Sequence, residues 1–399
     1  MTPAIDPAGT VTTPLGFSAG AVYAGIKTYG AGKLDLAILA SDRSCAAAAT
    51  FTQNRLCSAA VLVNRAHVAD GRACAVVVNS GVANSSTGDR GIVDGQQMCD
   101  WVAEKLGVPS LEVLVCSTGV IGHFLPMHSI QAGIGAISLS AESGMDFARA
   151  IMTTDTRPKH GAVRFGPYTL GGTAKGSGMI HPNMATMLAF LTTDAPVEQA
   201  FLQETLSSAV ESSFNLLSVD GDTSPSDTAI LLANGAAGGE TITEGSSHAA
   251  EFREAVEALC VYLAKEMARD GEGATKLMEV SVRGAASEQE ARRLVRELTT
   301  SYLLKSAVYG ADPNWGRIVA VIGRSTVRIS EPAVVVTLCG TRVFAEQRPT
   351  EFDAGAVAAA MRGDTVTIEV DLGAGDAAAS GWGCDLTEGY VKINADYHT

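Results

Sequence analysis

The chain is short of positive charge. Its 399 residues carry 29 Lys and Arg against 43 Asp and Glu, a formal net charge of −14 at pH 7. Nucleic acids and anionic membrane surfaces are bound through a basic footprint, so neither is an expected partner. No apolar run reaches the length of a membrane span. The N-terminus lacks the basic region and apolar core of a signal peptide, so the expected compartment is cytoplasmic. Cysteine is present but unpatterned: eight residues (45, 57, 74, 99, 116, 260, 339 and 384) with no CxxC pair and no Cys/His cluster. Several sit in apolar runs, such as Cys74 within 73–78, and read as reduced core residues rather than a disulfide frame or a zinc site. Tandem repeats and low-complexity linkers are missing too.

What the chain does have is glycine, 42 residues of it, with 46% hydrophobic and 18% charged residues. That composition belongs to a globular protein with many tight turns. The length suits one large or two ordinary domains. Apolar runs bounded by glycine or polar residues predict strands over 34–40, 59–63, 73–78, 113–116, 187–191 and 229–233. Helical spacing predicts helices over 94–106 (with Gly107 as stop), 145–152, from 194–196 through Leu202, Leu206, Ala209 and Val210, over 252–267 and over 288–298. The class is therefore mixed α/β.

The most informative stretch is Gly171-Gly172-Thr173-Ala174-Lys175-Gly176-Ser177-Gly178-Met179-Ile180-His181-Pro182-Asn183-Met184-Ala185-Thr186, followed by the apolar run from Met187 to Leu191. A glycine-rich loop leads into a buried strand, with one hydroxyl residue, Thr186, at the junction. Three meanings compete. It can be a plain turn feeding a core strand. It can be a phosphate cradle, although a P-loop needs Gly-Lys-Ser/Thr opening a helix, and here the lysine precedes the glycines. Or Thr186 can be a self-processing nucleophile, freed by a cut of the Ala185–Thr186 bond and using its own α-amine as base.

The stretch from Lys175 to Ile180 and from Asn183 to Leu188 resembles the cleavage-site motif of the ornithine acetyltransferase (glutamate N-acetyltransferase, ArgJ) family of arginine biosynthesis. Further motifs resemble that family in its order: 16–27, the asparagine-rich loop 79–88, Ser117-Thr118-Gly119, Thr153-Thr154-Asp155-Thr156, the loop 218–228, Asp270-Gly271-Glu272-Gly273-Ala274, 309–317 and the tail 384–399. In 218–228, Pro225 departs from the family pattern. That loop is rich in oxygen ligands, but the acidic residue a calcium loop needs at its twelfth position is missing.

The resemblance implies a layered α-β-β-α sandwich like that of N-terminal-nucleophile hydrolases. It also implies two chains, 1–185 and 186–399, joined in a heterotetramer. Thr186 would be the nucleophile, with Thr118 and Gly119 as oxyanion hole. Thr153, Lys175, Thr186, Glu272, Asn394 and Thr399 would contact substrate. The implied reaction moves acetyl from N-acetylornithine to glutamate in ping-pong fashion. No metal or resident cofactor is implied; acetyl-CoA is a candidate second donor. A self-cleaving aminopeptidase or amidohydrolase of the same fold, and a non-catalytic binding protein, are the alternatives. Each region has its plain counterpart: Thr118-Gly119 as a strand-to-turn junction, 153–156 as capping chemistry, and Glu272 as an exposed loop carboxylate.

Overall fold

In the computed structural model, residues 3–27, 32–181 and 187–396 are described. Ala185 and Thr186, within 182–186, and Thr399, within 397–399, lie outside the described residues. Two mixed sheets carry the fold. The first runs β1 (Ile5–Asp6), β6 (Lys159–Phe165), β7 (Tyr168–Lys175), β8 (Leu188–Thr193), β10 (Thr228–Ala233), β3 (Leu36–Phe51), β4 (Arg72–Val82), β5 (Val113–Val120), with β2 (Phe17–Val22) also paired to β3. The second runs β14 (Arg348–Pro349), β13 (Thr341–Ala345), β12 (Val335–Leu338), β15 (Thr365–Asp371), β11 (Leu277–Ala285), β16 (Ala377–Cys384), β9 (Leu217–Ser218).

The central strands of the first sheet are covered on both faces, which is why they read as unbroken apolar runs. Side chains alternate between the faces. In β8, Ala189 and Leu191 join one core cluster while Leu188 and Phe190 join another. In β10, Ala229 and Leu231 part from Ile230 and Leu232 in the same way. Helices α5 (Gln199–Ser212) and α6 (Ala249–Arg269) supply Phe201, Leu206, Phe252, Leu259 and Leu263 to the first cluster. Helices α1 (Ala59–His67), α2 (Gly88–Leu106) and α3 (Met127–Ala136) cover β3, β4 and β5, while α4 (Gly144–Ala150) places Phe147 edge-on against Phe190. On the second sheet, α7 (Glu288–Thr299), α8 (Tyr302–Gly310), α9 (Trp315–Arg324) and α10 (Ala354–Met361) bury Leu294, Leu298, Leu304, Val321 and Val357 against β11, β12 and β15. The chain closes on α11 (Glu388–Asp396). The expected α/β class, sheets with helix layers against them, holds.

Two local expectations change. Residues 59–63 form the start of α1, not a strand. Five apolar residues cannot distinguish a buried strand from a helix face, and the buried set Ala60, Val63, Asn64 and His67 has helical spacing. Residues 171–175 are not loop but the end of β7, paired with both β6 and β8. Their glycines answer a packing need: a Cβ on Gly171 would lie 2.1 Å from the Thr10 carbonyl oxygen. The loop proper begins at Gly176.

β5 is an outer strand of the first sheet, and Asn64 occupies the place of a further strand beside it. Its Nδ2 donates to the Val115 carbonyl at 2.7 Å and its Oδ1 accepts from the Val115 N–H at 2.8 Å, both in a buried setting. Asn64→Ala would strand both backbone groups. We expect a loss on the order of 3 kcal/mol, since each unsatisfied buried group costs about 1–3. Urea unfolding measures this; a loss under about 1 kcal/mol would mean that water replaces the amide.

Candidate active site

One small cavity, about 190 Å³, gathers residues from segments far apart in sequence: Thr118 and Gly119, Thr153 and Thr154, Lys175, Gly178 and Met179, Met187 and Leu188, Asp220, Asp222 and 224–227, Glu272, Tyr390 and Asn394. That space suits an amino-acid-sized ligand better than a bulky cofactor. Most of the residues singled out in the sequence converge here: Thr118, Gly119, Thr153, Lys175, Glu272 and Asn394. Thr186 directly precedes Met187 of the cavity wall but, like Ala185 and Thr399, is outside the described residues.

Thr118 and Gly119 sit at the end of β5, where the β4–β5 pairing shifts register. Gly119 has φ +127°, and a Cβ there would lie 2.3 Å from the Gly81 backbone, so only glycine permits this close strand approach. Lys175 ends β7 and donates from Nζ to the Thr118 hydroxyl at 3.2 Å. A lysine ammonium only donates, so the Thr118 oxygen accepts and its own hydrogen is free to point elsewhere. Burial lowers the Lys175 pKa, opposed chiefly by the Asp155 carboxylate.

Beneath the cavity lies a buried ion cluster that the sequence did not reveal. Lys159 Nζ sits 2.5 Å from Asp155 and 2.6 Å from Asp270, with all three side chains at or near zero exposure. Asp155 also accepts the Thr153 and Gly176 amides at 3.0 and 2.7 Å. Asp270 takes the Thr156 amide at 3.0 Å and its hydroxyl. Burial alone would raise the Asp155 pKa; the Lys159 and Lys175 ammonium groups outweigh it and hold the carboxyl well below the carboxylate range. Two residues past Asp270, Glu272 is tied by its amide to the Ser177 carbonyl at 2.8 Å, and its carboxylate accepts from Asn394 Nδ2 at 2.7 Å. A Cβ on Gly178 would lie 2.3 Å from that carboxylate. Glu272 is thus a buried cavity residue, not a loop-surface carboxylate.

The 218–228 segment does structural hydrogen bonding at the same site. Asp220 accepts the Met179 and Ile180 amides at 2.6 and 2.9 Å, fixing the loop after β7. His181, last before 182–186, is held between Arg296 (2.7 Å to Nε2) and Ser218 (3.2 Å to Nδ1). Burial, then the Arg296 charge, lowers its pKa to about 4, so it is neutral. With Nε2 accepting from Arg296, Nδ1 carries the proton and donates to Ser218. Sequence reasoning missed Lys159, and Asp155, Asp220, Asp227 and Tyr390 were passed over within motifs noted for other reasons. Asp155 and Lys159 stand four residues apart, but the third member of their cluster, Asp270, is 111 residues from Lys159, and Asp220 fixes amides some 40 residues away, so no local signal marks these roles.

Fold and cavity define an α/β protein with a buried, charge-lined site for a small molecule. Comparison with known proteins narrows this. Residues 18–399 match the ArgJ family. The arginine biosynthesis bifunctional protein ArgJ of Symbiobacterium thermophilum is 48% identical over 398 residues, covering 98% of this chain and 99% of its own. That of Dehalococcoides mccartyi is 46% identical, covering 99% and 98%. The crystal structure of the ArgJ protein of Bacillus halodurans matches with a TM-score of 0.52 at 43% identity, over 53% of this chain and 100% of that one. The chain belongs to the ArgJ family.

The ion cluster gives a stability prediction. Removing one partner of a buried ion pair leaves an uncompensated charge and costs about 3–5 kcal/mol, so Lys159→Met should lose that much at neutral pH. Asp155 is depressed in the folded state. Its contribution is therefore present above the ordinary Asp pKa of about 3.9 and lost as pH falls below it. Without Lys159 the carboxyl rises, and acid unfolding followed by circular dichroism should shift to higher pH. An unshifted acid limb would show that Lys175 alone sustains the charge.

Proposed function

We propose that this protein is a self-processing acetyltransferase that moves the acetyl group of N-acetylornithine to glutamate, yielding ornithine and N-acetylglutamate in arginine biosynthesis. The names of its relatives, arginine biosynthesis bifunctional proteins, support the pathway. The observation that carries the reading is the convergence of Thr118, Gly119, Thr153, Lys175, Glu272 and Asn394 on one cavity whose wall includes Met187, the residue after Thr186. The Ala185–Thr186 bond is cut by the chain itself, giving chains 1–185 and 186–399. The longer piece is a little over half of the sequence, and the B. halodurans chain, matched along its whole length, spans 53% of this one, which supports such a division.

After the cut the Thr186 α-amine, with an ordinary pKa near 8, takes the proton from the hydroxyl, which attacks the acetyl carbonyl. Thr118, its hydroxyl hydrogen left free by Lys175, and the Gly119 amide receive the oxyanion. Ornithine leaves, and the glutamate amine collects the acetyl from the threonine ester. Donor and acceptor share an α-carboxylate, for which the buried Lys175 ammonium is a charge-assisted partner. Glu272 with Asn394, Thr153 and the tail residue Thr399 contact the remaining amine and side chain. Acetyl-CoA is a second donor in this reading, in keeping with the word bifunctional in the relatives' names. Two copies of each chain form the working heterotetramer.

Three measurements test this. Denaturing electrophoresis with N-terminal sequencing should give a chain beginning at Thr186, and Thr186→Ala should give an intact, inactive precursor. Purified protein with N-acetylornithine and glutamate should release ornithine and N-acetylglutamate; release of acetate without transfer would identify a hydrolase instead. Thr118→Ala should lower kcat by an amount equal to about 2.7–4 kcal/mol, the usual loss for one oxyanion donor, with KM changed far less. Wild-type turnover in that variant would remove Thr118 from the mechanism.

A further inference from the structure

The first cut poses a chemical problem that the later reaction does not. Before cleavage the nitrogen of Thr186 is an amide and has no basic lone pair. The α-amine that serves as base in acetyl transfer does not yet exist. Self-cleavage therefore needs another group to accept the hydroxyl proton.

The carboxylates around the cavity can be compared. Asp155 is held by Lys159 and two amides. Asp220 takes two amides on the loop after β7. Glu272 is engaged by Asn394. Asp227 differs from these three. It is 3% exposed and borders the cavity. The Met187 amide and the Ser224 side chain favour the ionised form of its carboxyl, yet Oδ2 has no hydrogen-bond partner among the described residues. A buried carboxylate oxygen left unsatisfied is costly and rare, and calls for a reason. The next residue, Thr228, donates its amide to the Met187 carbonyl at 3.0 Å. Residue 228 thus holds the carbonyl of the residue that follows Thr186, with Asp227 immediately before it on the cavity wall.

We propose that Asp227 is the general base of the self-cleavage step, an inference that rests on the reading of Thr186 as a self-cleaving nucleophile. Oδ2 takes the Thr186 hydroxyl proton as Oγ forms its bond to the Ala185 carbonyl carbon. The carbon–nitrogen bond then breaks, and the proton passes to the departing nitrogen. The products are an Ala185 ester on Oγ, a free Thr186 amine, and Asp227 ionised again. Water hydrolyses the ester to the Ala185 carboxylate and the free hydroxyl.

Burial raises the Asp227 pKa well above the ordinary value, with Lys175 pulling the other way. A carboxylate tuned upward is a stronger base, better matched to neutral pH. The charged or titratable groups that face the cavity with it are Lys175 on β7, Asp220 and Asp222 after β9, Glu272 after α6, and the Tyr390 phenol on α11.

The test is cleavage of freshly made chain, produced by cell-free synthesis and chased at set pH values. For the wild type the rate should rise with pH as Asp227 ionises, with a one-proton slope. Asp227→Asn should slow cleavage by roughly 10²–10⁴-fold, the usual worth of a general base, and abolish that limb. Asp227→Glu should restore part of the rate. Hydroxylamine, which cleaves esters, should not rescue Asp227→Asn, because the block precedes the ester. Circular dichroism checks that each variant is folded; if Asp227→Asn is not, the wild-type profile and Asp227→Glu decide. A flat wild-type profile, full-speed cleavage by Asp227→Asn, or its rescue by hydroxylamine would overturn the assignment of Asp227 while leaving Thr186 in place. A wild-type chain that is never cut would overturn the processing reading as well.

Discussion

A single buried ammonium, Lys159, underlies the geometry of the site. It joins Asp155, which holds the amides of Thr153 and Gly176, to Asp270, which holds Thr156 and leads within two residues to Glu272. Three loops that meet at the cavity are thereby set relative to one another through one nitrogen. Coulomb attraction in a dry setting is strong, but so is the penalty for removing three ions from water. Net stabilisation is therefore modest. What the cluster supplies is definition: any displacement of one loop leaves a charge without its counter-ion, so the loops move together or not at all. We regard positional fixation of the cavity as the reason an ion triad is tolerated where apolar packing would do.

The same logic of close approach recurs above the cluster. Gly119 lies against the Gly81 backbone, and Gly178 lies under the Glu272 carboxylate. Neither position can accept a side chain without moving a strand or a charged group. Lys175 then reaches across to Thr118, joining the end of β7 to the end of β5 although four strands lie between them in the sheet. Charge, glycine and hydroxyl act on different atoms but serve one arrangement, in which donors converge on a small space beside the start of β8.

Much of this was legible in the sequence because strands buried on both faces leave continuous apolar runs, and β4, β5, β8 and β10 were found that way. So were the long helices, whose apolar spacing is set by packing on one side. The run at 59–63 was misread because five apolar residues fit either geometry, and only the helical role of Asn64, capping a sheet edge 51 residues away, resolves it. The cavity residues were recognised by motif, not by physics: nothing local distinguishes Glu272 from a surface glutamate. Lys159 and Asp227 escaped notice for the same reason in stronger form. Their roles depend on partners brought together by the fold, and an isolated lysine or aspartate in sequence carries no trace of its burial.

One feature of the sheet bears on how such a protein ages. β7 and β8 are antiparallel neighbours, and β8 also pairs with β10; the proposed scission falls between them. The two products would then be interleaved parts of one core rather than separable units. While folded, the cut costs little, since every ladder bond remains. Once unfolded, however, the pieces are no longer tethered and recovery becomes a second-order encounter between two incomplete cores. The intact chain learns its fold in a unimolecular reaction and then discards the connection that made it so. Its persistence would thereafter be governed by the barrier to opening, a kinetic rather than an equilibrium property.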